Sequence, residues 1–327
     1  MLILENQALS EMTTTAIGGQ VAKTFFPTSS SEVIEAVVTC NQNNWSFVFL
    51  AGGSNTLFAD KLKENQAIIS LVKFDNFELE QIKNGCFVKA QAGAILQDLV
   101  DLSQTISGDM TSLTRVPGSI GGAIVGNAGA YGTEIRDVFE SVSVVKLSDI
   151  AKFGTKAPIT ILTDCNFGYR DSIFKQNKDF VVLEIVLKLK PTQDKLADEQ
   201  KYLEISTKRD AIYPKGFRSP GSMFKNIIFS SLDPKIQAKI DPSWVVYGDK
   251  LPVGKLLEEL NVKGKAFGGV KMTDRHPNIF HNFDNGSFAD ATTLISQIQE
   301  LVWNRWNIRI EPEVRFIGSD FADFWKN

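Results

Sequence analysis

The sequence predicts an α+β fold assembled from two or three pieces. Three observations carry this expectation. Stretches with a helical apolar period alternate with stretches of strand type; an Asn-Gly pair sits in a β-rich middle section; and the 327 residues are about twice the roughly 150 of an average domain.

The elements follow in order. Ser30 and Ser31 are expected to cap a helix whose apolar positions Val33, Ile34, Val37 and Val38 recur at helical spacing and which stops at Asn43-Asn44. Residues 45–50 (WSFVFL) read as a buried strand that runs straight into Ala51-Gly52-Gly53-Ser54-Asn55, with a second strand at 67–71. Residues 78–83 and 86–91 flank Asn84-Gly85, the signal of a type I′ hairpin. A short helix is expected over 95–104 and strands over 138–147 and 180–190; along the latter the apolar-polar alternation sharpens toward the end. The polar stretch 191–200 reads as a domain boundary. Beyond it come a helix over 253–260 closed near Gly264, a longer helix over 288–306 behind the Asn285-Gly286 turn, and an alternating strand over 308–316.

Composition excludes several functions. The 38 acidic and 35 basic side chains nearly balance, which disfavours a nucleic-acid binder driven by phosphate neutralisation. No apolar run reaches the roughly 18 residues of a membrane-spanning helix. The first residues have no basic segment and carry Glu5 and Glu11, unlike a secretory signal. Cys40, Cys86 and Cys165 are odd in number and far apart, so they suggest a reducing cytosol rather than a disulfide framework. With His276 and His281 as the sole histidines, a His-based metal centre or a Ser-His-Asp triad has little to work with, and no metal is expected.

Two glycine blocks point to a ligand. In Gly52-Gly53-Ser54-Asn55, small residues after an apolar strand let backbone N–H groups converge on an anion such as a pyrophosphate, although an ordinary strand-to-loop turn has the same composition. The second block runs Arg115-Val116-Pro117-Gly118-Ser119-Ile120-Gly121-Gly122-Ala123 and then Asn127-Ala128-Gly129-Ala130-Tyr131-Gly132. A core helix is not expected there, because each interior Gly costs about 1 kcal/mol relative to Ala. Backbone close to a large flat or phosphorylated ligand explains it better; packing of small residues between segments is the alternative. The block has neither the G-x-G-x-x-G spacing of a dinucleotide fold nor a GK[ST] phosphate loop.

Further polar segments stand out: CNFGYRDSIFK with Arg170, GSMFKN with Ser222, Lys225 and Asn226, the basic pair Lys208-Arg209, and EPEVRF with Glu313 and Arg315. Singly, each has a plain structural reading: an Arg170–Asp171 ion pair, a turn serine bonding its own backbone, a solvated charged strand face.

Together, TTAIGG, AGGSNTLF, RVPGSIGGAIVGNAGAYGTEI, CNFGYRDSIFK, GSMFKN and EPEVRFIG resemble, in order and across nearly the whole chain, the UDP-N-acetylenolpyruvoylglucosamine reductase (UDP-N-acetylmuramate dehydrogenase) family. The resemblance implies an FAD-binding vanillyl-alcohol-oxidase-type (PCMH-type) fold of two subdomains, residues 1–72 and 73–195, followed by a C-terminal α+β domain at 203–327 that binds the UDP-sugar. It implies non-covalent FAD held by Ala51, Gly52, Gly53, Ser54, Asn55, Pro117, Gly118, Ser119, Gly121, Gly122, Ala123, Asn127, Gly129, Ala130 and Tyr131. It implies NADPH as co-substrate and UDP-N-acetylglucosamine enolpyruvate as substrate, with Lys225, Asn226, Arg209 (or its neighbour Lys208) and Arg315 as contacts, in a cytoplasmic monomer that binds neither membrane nor nucleic acid. Catalytic roles carry over to Arg170, Ser222 and Glu313: hydride passes from flavin to C3 and a proton from Ser222, assisted by Lys225 or water, to C2. Arg170 and a protonated Glu313 stabilise the charge that spreads into the carboxylate. Thr13 stands where the family often has Asn, and Tyr202 and Tyr213 do not match the tyrosine loop of one family branch.

Overall fold

The computed structural model describes residues 1–106, 108–246, 248–319 and 321. Its contacts define two compact units: Met1–Gln7, Val21–Gly52 and Glu64–Ala211 form the first, and Ala8–Gln20, Gly53–Lys63 and the chain from Ile212 onward form the second.

The first unit holds two sheets. In the four-stranded one, β1 (Leu2–Ala8), β2 (Gln20–Phe26), β5 (Gln66–Ser70) and β3 (Ser46–Leu50) lie in the order β1-β2-β5-β3, and β5 pairs parallel with both β2 and β3. Helix α1 (Ser30–Gln42) buries Val33, Ile34, Val37 and Cys40. Its cap is Ser29 rather than Ser30 or Ser31: the Ser29 Oγ accepts the Glu32 N–H at 3.3 Å, so Ser30 is already helical. Asn43 and the left-handed Asn44 close it, as their side chains tolerate the turn.

The second sheet is five-stranded and antiparallel where its pairings are resolved, in the order β11 (Ile159–Leu162), β10 (Phe139–Lys146), β12 (Phe180–Leu189), β7 (Gly85–Gln91), β6 (Phe77–Ile82). Along β12 the odd positions Val181, Leu183, Ile185, Leu187 and Leu189 are buried while Lys188 is exposed, as the alternation predicts. The β6–β7 hairpin forms, but not with the expected turn. Ile82 pairs with Gly85, so Lys83-Asn84 makes the connection, and Asn84 lacks the positive φ that type I′ demands. Gly85 (φ +123°) is required instead by packing, since a Cβ there would lie 2.0 Å from the Leu189 carbonyl oxygen.

Helix α2 (Leu96–Ile106) forms where expected. The glycine block does not stay irregular: Ile120–Gly126 is a helix, α3, with Ile120, Gly121, Ala123 and Ile124 buried. Tertiary packing outweighs propensity here. Gly121 backs onto the chain so closely that its Cβ would fall 2.6 Å from the Ala92 carbonyl oxygen, so part of the small-residue composition serves packing. A short hairpin of β8 (Gly129–Ala130) and β9 (Thr133–Glu134) follows, then α4 (Leu147–Phe153) and α5 (Ile173–Gln176). The polar stretch at 191–200 opens an 18-residue helix, α6 (Lys195–Ile212), and the compact units divide after Ala211 rather than within that stretch. A helix with a single buried side chain, Ile205, looks like a linker in sequence because its residues are mostly polar and its leucines stay exposed.

The second unit carries small sheets. A parallel pair joins β4 (Thr56–Phe58) to β18 (Arg315–Ile317); β13 (Ile227–Ile228) pairs with β14 (Lys250–Leu251); and β15 (Ala266–Phe267), β16 (Val270–Met272) and β17 (Phe280–Asn282) form a meander. Besides α7 (Pro234–Gln237) and α8 (Val253–Glu259), the long α9 (Phe288–Trp306) begins at Ser287 in a reciprocal capping box with Asp290 and buries Phe288, Ala291, Leu294, Ile295, Ile298, Val302 and Trp306 on one face. The strand expected over 308–316 is a ladder only at Arg315–Ile317. Its alternation is nonetheless real: Ile308, Ile310 and Val314 are buried, and the Ile310 carbonyl is satisfied by the Gln299 side chain at 2.9 Å. Pro312, with no N–H, cannot donate to a ladder.

Candidate active site

In the first unit the two glycine segments meet: a Cβ at Gly52 would lie 3.4 Å from the Gly118 Cα. Around this approach the sequence-selected residues sort by environment. Ser119 caps α3, accepting the Gly122 N–H at 3.2 Å. Asn127 is fully buried and left-handed (φ +41°); its amide donates to Glu134 at 2.9 Å and to the Gly168 carbonyl at 2.8 Å. Gly121 and Ala123 are buried. Ala51, Pro117, Gly118, Gly129, Ala130 and Tyr131 keep accessible surface, while Gly122 and Gly126 present bare backbone: only the Ser119 Oγ, at 3.6 Å, comes near a Cβ position at Gly122, and nothing lies within 4 Å of one at Gly126.

Asn127 links this block to the Arg170 segment. Gly168 and Asp171 exchange backbone hydrogen bonds (3.0 and 3.3 Å) and hold Arg170 between them at φ +53°. A non-glycine residue in this region costs about 1–3 kcal/mol and marks a conformation imposed by its surroundings. The Arg170 Nη2 donates to the Gly129 carbonyl at 3.0 Å, and the Lys175 Nζ donates to the Arg170 carbonyl at 2.5 Å. Asp171 accepts from the Ser172 N–H and the Gln176 side chain. Arg209, on α6, donates to the Arg115 carbonyl at 3.5 Å and stacks 5.8 Å from the centroid of the Tyr131 ring.

In the second unit, GSMFKN and EPEVRF are adjacent strands in all but length. The Glu313 N–H donates to the Met223 carbonyl (2.8 Å) and the Lys225 N–H to the Glu311 carbonyl (3.0 Å), with Phe224 opposite Pro312. Ser222 is exposed and bridges Ile279, and among the described residues its hydroxyl takes no intrachain hydrogen bond, so it is not a self-bonded turn serine. Glu313 is half-buried. The Lys225 Nζ pairs with Glu311 at 3.2 Å, and the Asn226 Oδ1 accepts the Val253 N–H at the start of α8 at 3.2 Å. Asn55, from the first glycine segment, clasps the same stretch: its Nδ2 donates to the Glu313 carbonyl (3.2 Å) and its carbonyl accepts from the N–H of the exposed Arg315 (3.0 Å). Gly53 (φ +59°) permits this course, since a Cβ there would fall 2.2 Å from the Met12 carbonyl oxygen. Ser54 is half-buried.

Asn278 escapes sequence reasoning. Its buried amide accepts the Phe224 N–H (3.0 Å) and donates to the Phe224 carbonyl (2.9 Å), replacing a neighbouring strand on the side of GSMFKN opposite EPEVRF. The turn-type Pro277-Asn278 is the only local signal. His276 supports it: its Nδ1 accepts the Asn278 N–H at 3.2 Å, which requires the neutral ring. Burial first, then the Lys263 charge, lowers the His276 value below its ordinary 6.5. As pH falls below 6.5 the unfolded chain therefore takes up the proton first, so this contribution to stability is intact above that pH and lost below it. His276→Asn keeps an acceptor without titrating. Its thermal midpoint should fall less than that of wild type between pH 7 and pH 5 (about two units, spanning an ordinary histidine); parallel curves would contradict the assignment.

No group of three or more His, Cys, Asp or Glu able to hold a metal occurs among the described residues, and no described helix is long and apolar enough to cross a membrane.

Comparison with known proteins gives a consistent picture. Residues 21–149 match the family model described as an FAD binding domain, and residues 213–317 match the C-terminal domain of UDP-N-acetylenolpyruvoylglucosamine reductase. The UDP-N-acetylenolpyruvoylglucosamine reductase of Carboxydothermus hydrogenoformans is 32% identical over 320 residues, 97% of this chain and 94% of that one. That of Solibacter usitatus is 30% identical over 312 residues, 95% of each chain. The crystal structure of the Thermus caldophilus enzyme superposes with a TM-score of 0.71 at 22% identity, over 96% of this chain and 99% of that one, which establishes the shared fold. The α+β class, an FAD-binding domain followed by a distinct C-terminal domain, is thus the one the sequence predicts. On sequence along nearly its whole length, the chain belongs to the UDP-N-acetylenolpyruvoylglucosamine reductase family.

Proposed function

We propose that the protein is an NADPH-dependent, FAD-containing reductase that converts UDP-N-acetylglucosamine enolpyruvate to UDP-N-acetylmuramate in the synthesis of peptidoglycan precursors. The observation that carries this reading is the pairing of GSMFKN with EPEVRF, which sets Ser222 and Glu313 on hydrogen-bonded neighbouring segments although 91 positions separate them in sequence.

The residues present fit FAD. Gly52 against Gly118, and the bare backbone of Gly122 and Gly126, leave room where side chains would otherwise project; Pro117, Ala130 and Tyr131 flank that surface, and Ser119, Gly121 and Asn127 hold its shape. Residues 1–72 and 73–195, each built around its own sheet, serve as the two subdomains for the cofactor, and 203–327 serves the UDP-sugar. When bound, FAD supplies the hydride for the enolpyruvyl C3 and is renewed by NADPH. The chain does the rest. Arg170 matches the substrate carboxylate with its planar fork and stays charged. Glu313, protonated, donates to oxygens on which negative charge grows. Ser222 delivers a proton to C2 as general acid, and Lys225 aids it from the Glu311 pair. Asn226, Arg209 and Arg315 supply polar and cationic contacts to the nucleotide.

The purified full chain should be yellow and release all its flavin on denaturation, as expected of a non-covalent cofactor. Under anaerobic conditions, steady NADPH oxidation should require UDP-N-acetylglucosamine enolpyruvate. A colourless protein, or turnover driven by a small alcohol with rapid reoxidation by oxygen, would refute the proposal.

A further inference from the structure

We propose that Gln97, oriented by Asp101 and Tyr202, is a positioning residue that sets the cofactor loop by holding Arg115 in the left-handed conformation; this rests on the FAD reading above.

Arg115 enters the Val116-Pro117-Gly118-Ser119 loop at φ +60°, a region that disfavours any side chain with a Cβ. The start of α2 and the residue before it lace the loop at two points. Ile95 bridges Ser119 through backbone, with the Leu96 N–H donating to the Gly118 carbonyl at 3.0 Å and the Ile120 N–H to the Ala94 carbonyl at 2.9 Å, and the Gln97 Oε1 accepts the Arg115 N–H at 2.5 Å. Only the last depends on a side chain, and an amide side chain has two orientations. Here the choice is made by its other end. The Gln97 Nε2 donates to the Asp101 Oδ1 at 2.6 Å, which turns the Gln97 oxygen toward Arg115. Asp101 is fixed in turn by the Tyr202 hydroxyl, which donates to the same oxygen at 2.8 Å from α6. Burial, and then the Asp101 hydrogen bond, push the Tyr202 hydroxyl up from its ordinary value, so it remains a donor. Two flanking contacts close the grip: Arg209 donates to the Arg115 carbonyl (3.5 Å), and Asp210 pairs with its guanidinium (3.4 Å). Tyr202, which matches no family tyrosine loop, thus has a role in the loop's geometry, and the polar helix α6 has a reason to lie along the first unit.

If the relay exists to hold a left-handed backbone, glycine at position 115 makes it dispensable, because glycine adopts that conformation without the steric cost of a Cβ. The test follows FAD release from full-length holoprotein, read as recovery of flavin fluorescence after dilution. Gln97→Ala should speed release about tenfold, and Tyr202→Phe about threefold, in the range of one lost hydrogen bond. In the Arg115→Gly background, either substitution should change release by less than about twofold. A general loss of packing would show no such rescue. The inference is overturned if Gln97→Ala releases FAD at the wild-type rate, or if its effect is undiminished beside Arg115→Gly. A wild-type protein that binds no FAD overturns both this and the function on which it rests, which keeps the two failures distinct.

Discussion

Ser222→Ala should lower substrate-dependent turnover by about 10²–10³, the usual cost of losing a transition-state donor or general acid. The substitution is structurally quiet. Ser222 is exposed, its bridge to Ile279 is made by backbone, and no described residue depends on its hydroxyl. The visible spectrum of the flavin, and its reduction by NADPH without sugar substrate, should therefore match wild type. Only the step that consumes the enolpyruvyl group should slow. Reduction of the flavin and its reoxidation by substrate can be timed separately in a stopped-flow instrument, since each half-reaction changes the flavin absorbance. An unaffected second half-reaction would remove Ser222 from the chemistry. A slowed first half-reaction would mean that the hydroxyl serves nucleotide binding instead.

Asn278→Ala should produce the largest loss of stability among the substitutions considered. Its side chain satisfies both backbone groups of Phe224, itself 1% exposed. Each buried group left unpaired costs about 1–3 kcal/mol, so a combined loss of about 2–6 kcal/mol is expected. For a unit of this size that lowers the thermal midpoint by about 5–20 °C. Asn278→Asp retains the acceptor for the Phe224 N–H but loses the donor to its carbonyl, and should fall between wild type and Asn278→Ala. Because Phe224 lies two residues from Ser222 and opposite Pro312, turnover should drop alongside stability even where the protein is fully folded. A variant with the wild-type midpoint would show that water, or a relaxed backbone, takes the place of the amide.

These two residues differ in how legible they are. Ser222 sits in GSMFKN, a motif that stands out in the chain and carries a family resemblance. Asn278 sits in a Pro-Asn turn, and nothing within ten residues of it says that its amide will act as the missing neighbour of a segment 54 positions away. Gln97 is similar: its place on a helix is predictable, but its choice of Arg115 as partner is not. The signals of the glycine block were mixed because two demands share one composition. Gly121 is there for close packing on Ala92, while Gly122 and Gly126 leave open backbone, and glycine serves both.

By itself, the sequence determined the elements whose causes are local. A serine and an Asp form a reciprocal cap at Ser287 and Asp290, asparagines end α1 and α9, and apolar periods mark α9, β12 and the buried side of residues 308–314. The linear order of six motifs was enough to indicate the family. What only the tertiary structure decided was which distant segments bond to each other, that a glycine-rich block would be helical, and that a polar stretch would open a helix. The physical reason is one of range. Caps, turns and periodicity act over a few residues, whereas backbone pairing and burial are settled by groups brought together from remote parts of the chain, and the energy of those contacts exceeds the propensities that the local sequence expresses.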